Sequence, residues 1–142
     1  MEAMCGKAGP VEPTVILIED DVAIAELIAY ILEDRGMVVH CADNASRGLA
    51  LANEFRPDLI VTDLHMPGLN GIDVLMATRR EERLRGTPVM IITGDLRPEM
   101  RHDCMALGAR TYLTKPFDGD QLLRYVWDTL SSTEGDAAPR AG

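Results

Sequence analysis

The sequence predicts one α/β domain in which five parallel strands, each followed by a helix, form a doubly wound sheet. Two observations lead to this fold class: short apolar runs alternate five times with segments of helical spacing, and the runs are apolar at consecutive positions. Consecutive apolar residues are typical of strands covered on both faces, as in a parallel sheet. A chain of 142 residues is long enough for one core of this kind. The order of the strands does not follow from these patterns.

The first two strands and helices are predicted near the amino terminus. The runs 15–18 and 38–41 are the strands, and the second helix covers 45–55 after a cap at Asn44 or Asp43. The first helix is recognised by apolar residues three and four positions apart: Ile24, Leu27, Ile28, Ile31 and Leu32. The equivalent stripe of the second helix is Ala45, Leu49 and Ala52.

Three further strands and helices follow. The strands are predicted at 59–62, 88–92 and 111–113. The third helix begins at about Ile72, and the last two are predicted at 98–107 and 119–131. The buried stripe of the fourth helix is Met100, Cys104 and Leu107. That of the fifth helix is Leu123, Val126, Trp127 and Leu130.

Composition limits the partners and the location. The net charge of −9 argues against a nucleic-acid surface, because phosphate backbones favour clustered Lys and Arg. No apolar run approaches the roughly 18 residues of a membrane span, and the amino terminus lacks the pattern of a signal peptide. The three cysteines fit neither a disulfide framework nor a zinc site, so we expect a cytoplasmic protein. The polar segments 1–12 and 132–142 are expected to be disordered tails around a domain at 13–131.

Acidic residues follow two of the predicted strands. Glu19, Asp20 and Asp21 come directly after the first strand, and Asp63 ends the third. Ligands bind at the carboxyl edge of open parallel sheets, so these carboxylates converge if the two strands are neighbours. Acidic residues that only capped the following helix, as Asp21 could, would leave Asp63 unexplained. The sequence therefore predicts a divalent cation, and all-oxygen ligands favour Mg²⁺.

Thr93 and Lys115 are predicted at the same edge, after the fourth and fifth strands. Taken singly, Thr93 could be a turn residue and Lys115 a surface charge. Together with the carboxylates they form a set suited to phosphoryl transfer, with Asp63 as nucleophile. The cation would neutralise charge, and the hydroxyl and the ammonium would bind the remaining phosphoryl oxygens.

These motifs resemble the receiver domain of bacterial two-component response regulators, which accept a phosphoryl group from a histidine kinase. The matching segments span about residues 14–131 in the order and spacing of that family: 16–21, 58–71, 91–94, 108–109 and 112–117. The resemblance implies a flavodoxin-like fold with strand order 2-1-3-4-5. It also implies two-component signalling as the function.

The resemblance further implies a role for each residue of the site. Asp63 would become an aspartyl phosphate, and Thr93 and Lys115 would bind the phosphoryl oxygens. The ligands of Mg²⁺ would be Asp63, Asp20, Glu19 through a water molecule, and the backbone carbonyl of His65. The family implies a cis peptide bond between Lys115 and Pro116, a geometry that proline makes accessible.

The implied mechanism is a population shift. Phosphorylation would draw Thr93 towards the phosphoryl group, and the ring of Tyr112 would turn inward. The fourth helix, fifth strand and fifth helix would then present a new surface to a protein partner. The donor would be a histidine kinase or a histidine phosphotransfer protein, and the chain a monomer or a phosphorylation-dependent dimer. His65 and Asp95 occupy positions that tune the access of water, although the side chain of His65 could simply face solvent.

The resemblance is to a receiver of the single-domain type, because only about eleven residues follow Ser131, too few for a DNA-binding output domain. Two other interpretations stay open. The chain could be a receiver from a larger hybrid kinase or multidomain regulator, with its polar ends as linkers. It could also be a phosphohydrolase that uses Asp63, but dehalogenase-like hydrolases carry an acid two residues later, where this chain has His65. The sequence therefore predicts a signalling module that is not an enzyme beyond its own phosphotransfer and autodephosphorylation.

Overall fold

The computed structural model describes residues 12–131 and confirms the doubly wound parallel sheet. The strands are β1 (Thr14–Ile18), β2 (Val38–Ala42), β3 (Leu59–Asp63), β4 (Val89–Thr93) and β5 (Thr111–Thr114). The helices are α1 (Val22–Glu33), α2 (Ala45–Phe55), α3 (Gly71–Arg80), α4 (Pro98–Ala106) and α5 (Gly119–Ser131), and a short 3₁₀ helix, Glu82–Leu84, follows α3. Apart from Glu12, the tails predicted at 1–12 and 132–142 lie outside the described residues.

The strand order in the sheet is β2-β1-β3-β4-β5, as the family resemblance implied. All neighbouring pairs are parallel, with Ile18 opposite Thr62 and Thr93 opposite Thr114. The last residues of the strands therefore stand at nearly the same level, and the segments that follow them meet at one edge. That edge carries four residues predicted to form the site: Glu19, Asp63, Thr93 and Lys115.

The core forms two layers, one on each face of the sheet, because successive side chains of a strand point to opposite faces. One layer packs against α2, α3 and α4 and includes Ile16, Ile18, Ile60, Ile91 and Cys104. The other packs against α1 and α5 and includes Val15, Leu17, Val61, Met90 and Ile92. Burial on both faces explains why the strands are continuous apolar runs.

The prediction of burial is wrong for two residues of the helical stripes, Leu27 and Trp127. Leu27 is 55% exposed and Trp127 is 39% exposed. Each lies one position, about 100° around the helix, from a fully buried residue, Ile28 or Val126. Only one stripe of each helix faces the sheet, so a neighbouring apolar residue falls outside it.

Polar residues set the starts of three helices. Of the two predicted caps, Asn44 and Asp43, it is Asn44 that caps α2, and its Oδ1 accepts from the N–H of Arg47 at 2.8 Å. Asn70 caps α3 in a reciprocal arrangement with Asp73. Asp21 caps α1, so the helix-capping interpretation holds for this residue. Within residues 12–131, every helix is too short or too polar to cross a bilayer.

Candidate functional site

Three carboxylates meet at the carboxyl edge of the sheet, as the sequence predicted. Glu19, Asp20 and Asp63 each offer an oxygen atom, and these oxygens lie within 4.8 Å of one another. Glu19 and Asp63 are buried, whereas Asp20 is exposed. The cluster is therefore open to solvent on the side of Asp20.

Glu19 is fixed by the start of α1 and by a distant lysine. Its Oε2 accepts from the backbone N–H of Asp21 at 3.1 Å, and its Oε1 accepts from Nζ of Lys115 at 3.2 Å. Burial raises the pKa of Glu19, and the negative charge of Asp63 acts in the same direction. The hydrogen bond from Asp21 and the charge of Lys115 oppose that rise. The hydrogen bond and the ion pair of Glu19 therefore offset only part of the cost of burying its negative charge.

Lys115 places its ammonium between the two buried carboxylates. Its Nζ is 3.2 Å from Oε1 of Glu19 and 3.6 Å from Oδ2 of Asp63. The backbone N–H of Lys115 donates to the carbonyl of Thr93 at 2.8 Å, which continues the pairing of β4 and β5 beyond the strands. The Lys115–Pro116 peptide bond is cis, as predicted.

The charges of this cluster fit a divalent cation. One ammonium stands against three ionisable carboxyl groups, so two negative charges stay uncompensated when all three are ionised. Like charges about 4 Å apart repel by about 4 kcal/mol at an effective dielectric constant near 20. All the donors are oxygen atoms, which Mg²⁺ and Ca²⁺ prefer over softer ligands.

The loop after β3 can pass close to the site because residue 71 is glycine. A Cβ at Gly71 would lie 2.7 Å from the backbone oxygen of Asp63 and 3.0 Å from Cα of Leu64. The N–H of Gly71 donates to the carbonyl of Leu64 at 2.8 Å, and this contact turns the loop back onto the end of β3. Any larger residue would push the loop away from Asp63.

Thr93 and Tyr112 are both buried beside the β4–α4 loop. Oγ1 of Thr93 accepts from the N–H of Asp95 at 3.0 Å, and the hydroxyl of Tyr112 donates to the carbonyl of Asp95 at 3.3 Å. The guanidinium of Arg101 lies 5.5 Å from the centre of the Tyr112 ring. The ring of Tyr112 is therefore buried, and the carbonyl of Asp95 and the guanidinium of Arg101 contact it in this inward position.

Asp95, His65 and Arg97 form a cluster, which we call the Asp95 cluster. Oδ2 of Asp95 is 2.8 Å from Nε2 of His65 and 2.6 Å from Nη2 of Arg97. The hydrogen bonds from Arg97 and His65 hold the pKa of Asp95 well below its usual range. An ionised carboxylate only accepts hydrogen bonds, so Nε2 of His65 carries the proton.

The Asp95 cluster lines the same cleft as Asp63, Thr93 and Lys115. Sequence reasoning singled out His65 and Asp95 separately, but it missed their contact and it missed Arg97. The only feature of the sequence that could have indicated this ion pair is the position of Arg97, two residues after Asp95.

The comparisons with known proteins agree with this geometry. The family model described as response regulator receiver domain matches residues 15–126. The DNA-binding dual master transcriptional regulator RpaA of Synechocystis sp. is 37% identical over 129 residues, which are 91% of this chain and 53% of that protein. The cell cycle transcriptional regulator CtrA of Caulobacter vibrioides is 36% identical over 87% of this chain and 52% of its own length. The chain therefore spans about half the length of these relatives.

Solved structures show the same fold. The chemotaxis protein CheY4 of Vibrio cholerae superposes with a TM-score of 0.80 at 29% identity, covering 83% of this chain and 98% of that one. A Francisella receiver domain, that of response regulator 1452, has a TM-score of 0.80 at 32% identity, over 87% of this chain and 100% of its own. The matched region therefore covers nearly the whole chain of each of these two solved structures.

Proposed function

This chain belongs to the response regulator receiver domain family, and on that premise we propose that Asp63 accepts a phosphoryl group from a histidine kinase or a histidine phosphotransfer protein. Membership places the chain in two-component signalling. The observation that carries the proposal is the position of Asp63: a buried carboxylate at the end of β3, 3.6 Å from the ammonium of Lys115 and beside two further carboxyl groups.

The reaction requires a bond between phosphorus and an oxygen of Asp63. As that bond forms, the bond between phosphorus and the donor's imidazole nitrogen breaks, and the imidazole leaves with the electron pair. The ammonium of Lys115 can bind a phosphoryl oxygen as it approaches Asp63. Oγ1 of Thr93 already accepts from the N–H of Asp95, so its own hydroxyl proton is available as a donor to another phosphoryl oxygen.

We propose that Glu19, Asp20, Asp63 and the backbone carbonyl of His65 hold Mg²⁺. The carboxylate oxygens are of the type that suits this ion, and the open side at Asp20 leaves room for the water ligands that Mg²⁺ keeps. When bound, Mg²⁺ would neutralise negative charge on the phosphoryl group.

The proposed output is a protein contact on α4, β5 and α5. Thr93 and Tyr112 connect the acceptor site to these elements through the β4–α4 loop. A change of about 1.4 kcal/mol in the balance of two conformations alters their ratio tenfold, so small changes at Thr93 suffice. The net charge of −9 disfavours nucleic acid as a direct ligand of this domain. The chain would act as a monomer or as a dimer formed on phosphorylation.

A second candidate is that the same acceptor works as one module of a larger regulator. The observation in its favour is that RpaA and CtrA are about twice as long as the segment they share with this chain. An immunoblot of the host that detected only a product near 15.6 kDa would exclude this second candidate.

The test is stoichiometric labelling. The chain incubated with acetyl phosphate and Mg²⁺ should gain one phosphoryl group by intact mass, and Asp63→Asn should gain none. Asp128→Asn, which alters an exposed carboxylate on α5, should be labelled like the wild type. Equal labelling of Asp63→Asn would contradict the assignment. Repeated turnover of small phosphate esters that disappears in Asp63→Asn would favour the phosphohydrolase instead.

A conformational readout completes the test. Beryllofluoride with Mg²⁺ should change the fluorescence of Trp127 in the wild type and leave Asp63→Ala unchanged. The indole is partly exposed on α5, within the proposed output surface, so its environment should report on that surface.

A further inference from the structure

Asp95 lies in the β4–α4 loop and also contacts the β3–α3 loop, and both loops line the cleft at Asp63. Its carboxylate accepts from Nε2 of His65 in the β3–α3 loop at 2.8 Å, and from Nε and Nη2 of Arg97 at 2.9 and 2.6 Å. Its N–H donates to Oγ1 of Thr93 at 3.0 Å, and its carbonyl accepts from the hydroxyl of Tyr112 at 3.3 Å. One residue therefore links the loop after the acceptor to the two residues of the proposed switch.

The carboxylate of Asp95 is held more firmly than that of an ordinary surface ion pair. Its side chain is 8% exposed, whereas those of His65 and Arg97 are 55% and 57% exposed. Single exposed ion pairs contribute little to stability. The carboxylate of Asp95 accepts from a guanidinium fork, a ring N–H and a backbone N–H, and these hydrogen bonds together favour one position of the side chain.

A fixed carboxylate also fixes the backbone that carries it. The backbone N–H and carbonyl of Asp95 are the groups that meet Thr93 and Tyr112. A buried hydroxyl is destabilised when it loses its partner, so the inward position of Tyr112 is favoured only while the carbonyl of Asp95 stays in place. Arg101 contacts the same ring from α4, with its guanidinium 5.5 Å from the ring centre.

We propose that Asp95 is a positioning residue: through His65 and Arg97 it holds the β4–α4 loop so that the unphosphorylated receiver keeps Tyr112 buried. The inference rests on the proposed function in one respect, the role of Tyr112 as a switch residue. On this proposal, Tyr112 is already buried before phosphorylation. The Asp95 cluster then determines how much the position of the ring can still change when Asp63 is phosphorylated.

The test measures the burial of Tyr112 by fluorine NMR of the full chain labelled with 3-fluorotyrosine. The chain contains three tyrosines, so three resonances are expected, and Tyr112→Phe identifies the relevant one. The shift of each resonance between H₂O and D₂O reports on its contact with solvent. Tyr30 provides the exposed reference, since it is 69% exposed whereas Tyr112 is 5% exposed. All spectra are recorded without Mg²⁺ or phosphodonor.

The variants are Asp95→Ala, Asp95→Glu and, as a matched control, Asp103→Ala, which removes an exposed carboxylate from α4. We expect Asp95→Ala to move the solvent shift of Tyr112 towards that of Tyr30. Asp95→Glu should restore much of the wild-type value, because a carboxylate is retained. Asp103→Ala should match the wild type, and Tyr125 should keep its shift in every variant.

A Tyr112 shift that stays at the wild-type value in a folded Asp95→Ala would overturn the inference. If Asp95→Ala does not fold, Arg97→Ala removes the principal partner of the carboxylate, and an unchanged Tyr112 in that variant has the same meaning. The proposed function fails by a separate route: the wild type would not be labelled by acetyl phosphate, whatever the position of Tyr112.

Discussion

Lys115 and Glu19 lie 96 positions apart in the sequence, and their side chains form an ion pair with 3.2 Å between Nζ and Oε1. The contact joins the segment after β5 to the segment after β1, on either side of the carboxylate of Asp63. Both side chains are largely withdrawn from solvent. Loss of either partner would therefore leave a poorly solvated charge.

Replacement of Lys115 by alanine should destabilise the chain without Mg²⁺. We expect the free energy of unfolding to fall by about 1–3 kcal/mol, because Glu19 and Asp63 lose their shared cation. Urea unfolding measures the change. Mg²⁺ should raise the stability of Lys115→Ala more than that of the wild type, since it binds carboxylates that no longer have an ammonium beside them. Lys115→Arg keeps the positive charge, so its free energy of unfolding should fall less than that of Lys115→Ala. A Lys115→Ala variant as stable as the wild type would show that the ion pair contributes nothing.

The metal proposal distinguishes two neighbouring aspartates. Asp20→Asn should weaken Mg²⁺ binding by about tenfold or more, because even groups one step removed from a metal contribute that much. Asp21→Asn should bind Mg²⁺ nearly as well as the wild type, since the side chain of Asp21 caps α1 and asparagine also caps helices. Isothermal titration calorimetry gives both affinities. Equal losses in the two variants would mean that general negative charge, and not a specific ligand, attracts the ion.

Gly71→Ala should damage both folding and phosphoryl acceptance. The new methyl group would stand 2.7 Å from the backbone oxygen of Asp63, so the loop must shift, at about 1–3 kcal/mol for overpacking of this kind. Urea unfolding and labelling with acetyl phosphate measure the two effects. Gly86→Ala is the control, because a Cβ there meets nothing within 4 Å. The contact is unimportant if both variants behave alike.

The stability of the protein should fall in alkaline solution partly because of Tyr112. Burial raises the pKa of Tyr112 above the usual value of a tyrosine, about 10. Its contribution to stability is therefore complete below that pH, and it is lost as the pH rises through the higher pKa of the folded state. Tyr112→Phe should flatten the decline in the free energy of unfolding above about pH 10. Ultraviolet titration should show the phenolate of Tyr112, identified by its absence in Tyr112→Phe, forming above the usual range of a tyrosine, and its formation within that range would contradict the prediction.

The sequence was sufficient for the strands, the helix order and the carboxylate site, because these depend on local pattern and on a rule about sheet edges. Glu19, Asp63, Thr93 and Lys115 each follow or end a strand, so parallel order alone brings them together. Exposure was harder to predict. Trp127 is apolar and one position from Val126, and only the packing of α5 against the sheet decides which of them is buried.

Contacts between loops could not be predicted from the sequence. His65 and Asp95 are 30 residues apart, in loops that follow different strands, and no periodicity relates them. The hydroxyl of Tyr112 donates to the backbone carbonyl of Asp95. Every residue has such a carbonyl, so the amino-acid sequence does not indicate which one accepts this hydrogen bond. Such details arise only when the strands have brought the loops together.

The distribution of the site along the chain has a consequence during synthesis on the ribosome. The carboxylate that we propose as acceptor belongs to residue 63, but its ammonium partner is residue 115, on a segment synthesised after most of the domain. A nascent chain that has emerged only as far as β3 presents the aspartate without its lysine, and we expect it to be a poor acceptor. Phosphorylation of Asp63 would then require that β5 has docked, so we expect an incompletely synthesised chain to remain unlabelled.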